Sequence, residues 1–331
     1  MNVYITEQGS IICKTGDRLI VEKEDKILID IPFLKIDTIL IFGYVQVTTQ
    51  AIRKMFEHGI ELALFTRSGK LLGQITSPFT KNIELRVEQF KKYSDEAFRL
   101  KLTRIIIDGK LNNYLNFVQI FSNNHREISF NEDITSLKIA IKNLENANSI
   151  DSLRGFEGIG TRNYFNCFSK MILGNFKFEG RRKYPSIDPV NALLSLGYTL
   201  IYNEISSLLD GLGFDPYLGY FHEVEYGRAS LACDIQEEFR VIVDKLTLYL
   251  INNRMLIEND FYKNQADRSV LLKRESIKKY FLEYERYMST EFKHPETSEN
   301  TTIRKCFRMQ AEKLANLIKY DTDYVPFRLN E

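Results

Sequence analysis

The sequence predicts an α+β protein in which a small β-rich N-terminal domain (residues 1–78) precedes a larger all-helical domain (residues 79–331). Three observations support this class: short β-type segments up to residue 75, a helical period almost everywhere beyond Pro78, and 331 residues of which 44% are apolar. A chain of this length and composition can form two separate cores. The sequence contains no tandem repeat and no low-complexity tract, so nothing of this kind indicates a repeat or disordered architecture.

The N-terminal domain is predicted from short apolar segments that turn residues separate. The expected strands cover residues 3–5, 11–14, 19–23, 27–31, 36–42, 62–65 and 71–75. Gly9 and Gly16 interrupt the first of them, and Ser68-Gly69 predicts a hairpin turn between the last two. Residues 48–57 have the pattern of a short helix that ends before Gly59.

Two helices of the second domain can be placed closely. Asp188 is a favourable N-cap and Pro189 suits the first helical turn, after which apolar residues recur at helical spacing through residues 190–205. A second helix is predicted over residues 231–246, where apolar residues recur every three or four positions. Ser230 stands where an N-cap of this helix could lie.

The helix over residues 231–246 carries acidic side chains away from its apolar face. Asp234 and Glu237 are about 60° apart around the helix axis. Glu238 lies closer to the apolar face than Glu237, so spacing does not decide which glutamate faces a site. The helix dipole also favours acids near a helix start, which leaves a purely structural role open.

Two residues outside that helix strengthen the case for a site. His222 precedes the helix in a charged loop that can fold back over the helix start, and an imidazole with carboxylates suits Mn²⁺ or Mg²⁺ better than structural zinc. Glu157 shares a helical face with aromatic residues, where a carboxylate needs a partner. A first-turn pairing of Glu157 with Arg154 or Arg162 is the alternative.

Residues 157–168, 181–198 and 222–240 contain three motifs that occur together in one known family. The first is Glu157 followed by Arg162 and Tyr164, the second contains Asp-Pro-Val-Asn-Ala-Leu-Leu-Ser, and the third contains His…Gly-Arg-x-Ser-Leu-Ala-x-Asp-x-x-Glu. In these motifs, their order and their separation, the chain resembles the CRISPR-associated "Cas-one" family, the integrases of spacer acquisition. The resemblance extends from the first residues to about residue 325.

The resemblance implies a catalytic site that binds Mg²⁺ or Mn²⁺. Its metal ligands fall on Glu157, His222 and Glu237, so that the resemblance selects Glu237 over Glu238. Asp234 matches a further acidic position beside the metal or behind its ligands. The bound metal would neutralise charge at a phosphodiester and activate a DNA 3′-hydroxyl, or water in cleavage.

The resemblance also implies an activity and partners. The helical domain would be the catalytic domain of a metal-dependent DNA endonuclease and integrase that inserts short DNA segments into a CRISPR array. The β-rich domain would form a homodimer, and two such dimers would be bridged by the small "Cas-two" protein. The expected substrates are double-stranded and branched DNA.

A surface that binds DNA would have to be local, because the net charge is only +1. The candidate DNA contacts are Arg162, Arg181, Arg182, Lys183 and Arg228. Positive groups of this kind bind phosphate without reading sequence. A solvated basic loop is the alternative for residues 181–183, and a salt bridge to Asp234 or Glu225 is the alternative for Arg228.

Other sequence features bear on location. The four cysteines are scattered and include no Cys-x-x-Cys pair, which argues against zinc and disulfides and fits a reduced cytoplasm. We expect neither export nor a membrane span, because the chain has no signal-like start and no apolar run of about 18 residues.

Three alternatives to the integrase hypothesis stay open at this point. One is a non-catalytic helical DNA-binding scaffold whose acidic cluster is structural. The second is a metal phosphodiesterase that uses only water as its nucleophile. The third is an RNA-processing nuclease, which would prefer RNA to DNA of the same sequence.

Overall fold

The computed structural model describes residues 1–67, 69, 71–75, 82–183, 185–265 and 267–329. In these residues strands dominate the N-terminal part and helices the remainder, which confirms the predicted α+β class. The chain divides into two compact units, one formed by Met1–Phe79 with Leu272–Glu285 and the other by Thr80–Leu271 with Arg286–Glu331. The predicted boundary at residues 77–78 lies outside the described residues.

Two four-stranded sheets and a short helix make up most of the described part of the first unit. Its elements are β1 (Asn2–Ile5), β2 (Ile11–Thr15), β3 (Arg18–Lys23), β4 (Lys26–Pro32), β5 (Thr38–Phe42), β6 (Gln46–Val47), α1 (Thr49–Glu57), β7 (Glu61–Phe65) and β8 (Leu71–Ile75). The strand orders are β1-β5-β7-β8 and β4-β3-β2-β6. Apolar side chains from both sheets and from α1, among them Ile12, Ile39 and Met55, form the core.

Local signals located these strands well. All seven predicted strands are present, and only the segment over residues 36–42 starts later, at Thr38, because a 3-10 turn precedes it. β7 and β8 pair antiparallel, as the predicted hairpin requires. Gly69 has a φ of 87°, which glycine adopts at little cost, whereas the other predicted turn residue, Ser68, lies outside the described residues.

The second unit is mainly helical. Its helices are α2 (Ile83–Ser94), α3 (Glu96–Asn124), α4 (Asn131–Asn143), α5 (Ile150–Lys170), α6 (Pro189–Leu212), α7 (Ser230–Asn252) and α9 (Ile303–Tyr320), while α8 (Arg274–Ser289) extends across both units. Two short ribbons pair β9 (Phe261–Lys263) with β10 (Val270–Leu272) and β11 (Glu291–Lys293) with β12 (Asn300–Thr302). The all-helical prediction missed these ribbons, because strands of three residues show too little alternation to be recognised.

The first part of α8 packs within the β-rich unit. The ring of Phe281 stacks on Tyr4 with 4.5 Å between centroids and lies 4.8 Å from the ring of Phe42. Arg274 forms an ion pair with Glu7. These contacts join residues more than 200 positions apart in the sequence, which a local period cannot indicate.

The helices that position the site begin at different kinds of cap. Asp188 caps α6 as predicted, because its carboxylate accepts the Asn191 N–H at 2.8 Å and Pro189 is the first helical residue. The helix predicted over residues 231–246 is present as α7, but the N-cap suggested for it at Ser230 was wrong. Ala229 occupies its N-cap position, and the Ser230 hydroxyl donates instead to the Glu223 carbonyl oxygen at 2.8 Å. Among the described residues, none of the helices has the length and apolar character that a membrane crossing requires.

Residues 321–329 form a C-terminal segment that runs back over α3 and α7. The Phe327 N–H donates to Glu238 Oε2 at 2.7 Å, and Asn113 Nδ2 donates to the Phe327 carbonyl at 2.9 Å. The Leu329 N–H in turn donates to Asn113 Oδ1 at 3.0 Å. This segment therefore satisfies polar groups that two helices bury.

Candidate active site

Helix α7 buries an unusual number of carboxylates. Asp234, Glu237, Glu238 and Asp244 are each at most 3% exposed. The helix packs against α3 and α6, so both sides are covered. A buried carboxylate is costly unless it is paired or receives hydrogen bonds. The partners of each carboxylate therefore indicate its role.

Glu237 is surrounded by positive charge. Arg240 Nε donates to its Oε2 at 2.8 Å, and Lys110 Nζ lies 2.6 Å from the same oxygen. His222 Nε2 is 3.8 Å from Glu237 Oε1. Burial alone would raise the pKa of this carboxyl, but the charges of Arg240 and Lys110 outweigh burial and hold its pKa well below the ordinary value. Glu237 is therefore an ionised acceptor.

Glu157 lies on α5 and meets the same lysine. Lys110 Nζ forms an ion pair with Glu157 Oε1, and Thr161 Oγ1 donates to that oxygen at 2.8 Å. Burial opposes ionisation of Glu157, yet Lys110 lowers its pKa below the ordinary value. The alternative pairing with Arg154 is not formed, since Arg154 bonds Asp151 and Glu223 instead.

Asp234 fixes His222 over the start of α7. Its carboxylate accepts the backbone N–H groups of Tyr220 (2.5 Å), Phe221 (3.0 Å) and His222 (2.9 Å). His222 Nδ1 lies 2.8 Å from Asp234 Oδ1, which leaves Nε2 as the ring nitrogen on the Glu237 side. A histidine held through one nitrogen by a carboxylate is typical of metal sites, where the partner fixes the tautomer.

The loop that carries His222 depends on a close backbone approach. At Gly219 a Cβ atom would lie 2.7 Å from the backbone carbon of Ser230. Such a contact leaves no room for any side chain at this position, so glycine is required. The approach brings the loop against the first turn of α7, where Asp234 can reach its N–H groups.

The donor chemistry fits a hard divalent cation. One imidazole nitrogen and two carboxylates form a mixed N/O set of the kind that Mg²⁺ or Mn²⁺ accepts. Within the described residues, no three His, Cys, Asp or Glu side chains are already arranged as a metal site. The ammonium group of Lys110 lies between Glu157 and Glu237. Two of the predicted ligands thus share one ammonium group, and the third, His222, lies beside Glu237. Their binding of a metal stays a prediction.

A cavity of about 710 Å³ adjoins this cluster. The cationic residues described along its wall are Lys110, Arg154, Arg181, Lys183, Arg228 and Arg240, and the acidic ones are Glu157, Glu223, Glu225 and Glu237. A pocket that combines ionised carboxylates with cationic walls suits a phosphodiester, because the cations attract phosphate and the carboxylates can hold a metal.

The five predicted DNA contacts divide into two groups. Arg181, Lys183 and Arg228 line the cavity, whereas Arg162 and Arg182 are exposed and are not among its lining residues. Arg228 also forms the ion pair with Glu225 that was its structural alternative. Tyr184, the aromatic residue next to the basic run, lies outside the described residues.

Sequence reasoning missed Lys110 and assigned no role to Arg240. Lys110 lies on α3 among residues that are all buried, namely Ile106, Ile107, Leu111 and Tyr114. A lysine inside an apolar helical stripe is a detectable signal, because buried lysines need an anionic partner. The partner itself could not be identified, since Glu157 is 47 positions further along the chain.

Comparison with known proteins gives consistent matches. The family model for CRISPR associated protein Cas1 matches residues 3–286. CRISPR-associated endonuclease Cas1 3 of Thermus thermophilus is 32% identical over 329 residues, which is 98% of this chain and 96% of the relative. CRISPR-associated endonuclease Cas1 1 of Thermodesulfovibrio yellowstonii is 37% identical over 261 residues, 78% of this chain and 82% of the relative.

Solved structures share the fold. A casposase bound to an integration product superposes with a TM-score of 0.88 at 21% identity, covering 100% of this chain and 96% of the casposase chain. At that identity the likeness shows the fold alone. A chain of a Cas6-RT-Cas1–Cas2 complex gives a TM-score of 0.85 at 25% identity, with 100% of this chain and 36% of the longer chain covered.

Proposed function

This chain belongs to the Cas1 family of CRISPR-associated proteins, and we propose that it is a metal-dependent DNA endonuclease and integrase that inserts short DNA segments into a CRISPR array. One observation carries the proposal. Glu157, His222 and Glu237 lie 65 and 15 positions apart in the sequence and line one cavity with cationic walls, where both glutamates contact Lys110 and His222 lies beside Glu237. Their chemistry is that of a phosphoryl-transfer site.

Each side chain has a distinct task in the proposed reaction. Glu157, Glu237 and His222 would hold Mg²⁺ or Mn²⁺, which would neutralise charge on the phosphate and acidify the attacking hydroxyl. Asp234 keeps the imidazole in the tautomer that leaves Nε2 free to bind. No residue forms a covalent intermediate.

The proposed chemistry is a transesterification. A DNA 3′-hydroxyl gives up its proton and attacks a phosphodiester of the target strand, forming one P–O bond while another breaks. The leaving group is the 3′-oxygen of the target strand, which takes up a proton. Because one phosphodiester replaces another, the step needs positioning and charge stabilisation but no energy source.

We assign the cationic wall to the DNA backbone. Arg181, Lys183 and Arg228 would contact phosphates next to the reacting bond, and their place in the cavity lining supports this role. Arg162 and Arg182 would contact phosphates further along the DNA. Contacts of this kind hold double-stranded and branched DNA without selecting its sequence.

We further propose that the protein works as a homodimer, formed through its β-rich unit, within a larger complex. A solved structure with 25% identity is a Cas6-RT-Cas1–Cas2 complex, which supports Cas2 as a partner. In our proposal Cas2 bridges two such dimers. An activity on genomic DNA would take place in the cytoplasm, a reducing compartment in which the four free cysteines of this chain would remain thiols.

The decisive experiment joins a labelled DNA end to a plasmid. Purified protein is incubated with Mn²⁺, supercoiled plasmid and a short duplex that carries a labelled strand with a free 3′-hydroxyl. We expect labelled plasmid from the wild type and from Glu132→Gln, an exposed residue of α4, but none from Glu157→Gln. A 3′-deoxy end should not be joined by any variant.

The other outcomes identify the rival functions. Joining that continues unchanged in Glu157→Gln would contradict the proposed site. Metal-dependent cleavage without joining would indicate a phosphodiesterase that uses water, and faster cleavage of RNA would indicate an RNA-processing nuclease. DNA binding without any product would leave a helical scaffold as the function.

A further inference from the structure

Lys110 has no part in the proposed reaction, although it lies at the centre of the site. It is located on α3 and is 3% exposed. Its ammonium group bonds Glu237 Oε2 at 2.6 Å and also forms an ion pair with Glu157. Burial alone would lower the pKa of this lysine, but the two carboxylates raise it, so the group is charged.

The charges of four side chains at the centre of the site cancel without any bound ion. The carboxylates of Glu157 and Glu237 carry two negative charges, and Lys110 and Arg240 carry two positive ones. The carboxylate of Asp234 is occupied separately, by three backbone N–H groups and the His222 ring. Adding a divalent cation to the four paired side chains would leave an excess of positive charge in a buried place, even with the Asp234 carboxylate nearby, which is unfavourable.

We infer that Lys110 is a built-in counter-ion that competes with the divalent metal for Glu157 and Glu237, and thereby couples metal binding to the arrival of a DNA phosphate. The inference rests on the proposed function. A DNA phosphate brings negative charge to the cavity wall and offsets the excess positive charge. DNA therefore increases the affinity for the metal, and by thermodynamic linkage the metal increases the affinity for DNA by the same factor.

This coupling has a functional consequence. Without DNA the site binds metal weakly, so few molecules hold an activated nucleophile such as water. When DNA is bound, the metal site fills and the Lys110 ammonium is released from the carboxylates. The enzyme is thus activated by its own substrate, through charge balance alone.

The test measures Mn²⁺ binding to the intact protein by titration calorimetry, with and without a short duplex that has a 3′ overhang. For the wild type we expect the duplex to tighten Mn²⁺ binding by about tenfold or more, within the usual range of coupling between sites. Lys110→Met should bind Mn²⁺ about tenfold more tightly than the wild type without DNA, and the duplex should then add less than about threefold.

Two further variants make the test specific. Lys101→Met removes an exposed lysine from the same helix and should behave as the wild type does. Lys110→Gln keeps a polar side chain of similar length and should act in the same direction as Lys110→Met, which covers the case that the methionine variant does not fold. Circular dichroism melting of each variant checks that it is folded.

The outcomes separate this inference from the proposed function. If Glu157→Gln abolishes Mn²⁺ binding but both Lys110 variants bind Mn²⁺ as the wild type does, the counter-ion role is wrong and the metal site stands. If the wild type does not bind Mn²⁺, or if Glu157→Gln leaves its Mn²⁺ binding unchanged, the proposed metal site itself fails. Tighter Mn²⁺ binding in both Lys110 variants with unchanged coupling to DNA would also overturn the inference.

Discussion

Two adjacent glutamates of α7, Glu237 and Glu238, are both buried but have different kinds of bonding partner. On one side, Glu237 is bonded to the cations of Lys110 and Arg240. On the other, Glu238 accepts hydrogen bonds from Tyr324, Gln310 and the Phe327 N–H, which are all neutral donors. Burial is similar on both sides, so the partners and not the depth distinguish the two glutamates.

The pKa values of these two glutamates are shifted in opposite directions. The pKa of Glu237 is held well below its ordinary value, whereas burial raises the pKa of Glu238 to about 7. Asp244, further along α7, follows the second pattern: burial raises its pKa to about 6 even though Tyr164 and Tyr198 donate to it. Positive charge next to Glu237 therefore keeps that buried carboxylate ionised, whereas burial with neutral donors favours the protonated forms of Glu238 and Asp244.

The largest expected effect on DNA joining comes from substituting the adjacent glutamates Glu237 and Glu238 one at a time. Glu237→Gln should lower the rate of DNA joining by about 1,000-fold or more, equivalent to about 4 kcal/mol of barrier, because it removes an ionised ligand. Glu238→Gln should change that rate by less than about threefold and lower the melting temperature instead. Plasmid joining and thermal unfolding, measured on both variants, test the contrast. Equal loss of activity in the two variants would break it.

A second prediction concerns the pH dependence of stability. Asp244 has an ordinary pKa of 3.8 and a folded pKa of about 6, so between these values the folded state binds more protons than the unfolded state. The free energy of unfolding should therefore fall as pH rises from about 4 to about 6, by on the order of 3 kcal/mol. Asp244→Asn should lack this decrease.

Urea unfolding at intervals between pH 4 and pH 7 measures this difference. Comparing the two proteins at each pH removes the contribution of all other titrating groups. Parallel pH profiles for the wild type and Asp244→Asn would show that Asp244 stays ionised, as Glu237 does, and would remove the distinction between carboxylates bonded to cations and carboxylates bonded to neutral donors.

The smallest effect should come from two stacked tyrosines. The rings of Tyr114 and Tyr164 are parallel with 3.6 Å between centroids. The Tyr164 hydroxyl donates to Asp244 Oδ2 at 2.8 Å, whereas the buried Tyr114 hydroxyl meets no hydrogen-bond partner among the described residues. Tyr164→Phe should cost about 1–2 kcal/mol, and Tyr114→Phe less than about 0.5 kcal/mol. Chemical unfolding of both variants provides the comparison, and equal costs would contradict it.

Local patterns predicted those parts of the fold that local contacts stabilise. The α6 helix could be placed because Asp188 and Pro189 act within its first turn. Ser230 was misassigned because its hydroxyl bonds Glu223, a contact that depends on how the preceding loop folds. The same limit applies to Glu237 and Glu238, which are adjacent in the sequence and acquire different roles only from residues that distant segments bring to them.

The candidate site shows this limit most clearly. Motif resemblance selected Glu157, His222 and Glu237, and the structure brings these three side chains to one place. Lys110 was not predicted, because its role is defined by carboxylates on two other helices. The charge balance of a buried cluster depends on which helices pack together, so residue spacing within one helix cannot predict it.

The C-terminal segment also constrains the order in which the molecule can mature. Phe327 forms hydrogen bonds with Glu238, 89 positions away, and with Asn113, 214 positions away. The polar groups of α7 and α3 therefore gain these partners only when the ribosome has added residues that come much later in the chain. Until then, a growing chain exposes polar groups that the finished protein hides. We therefore expect the nascent protein to reach a protease-resistant state only after this segment has left the exit tunnel.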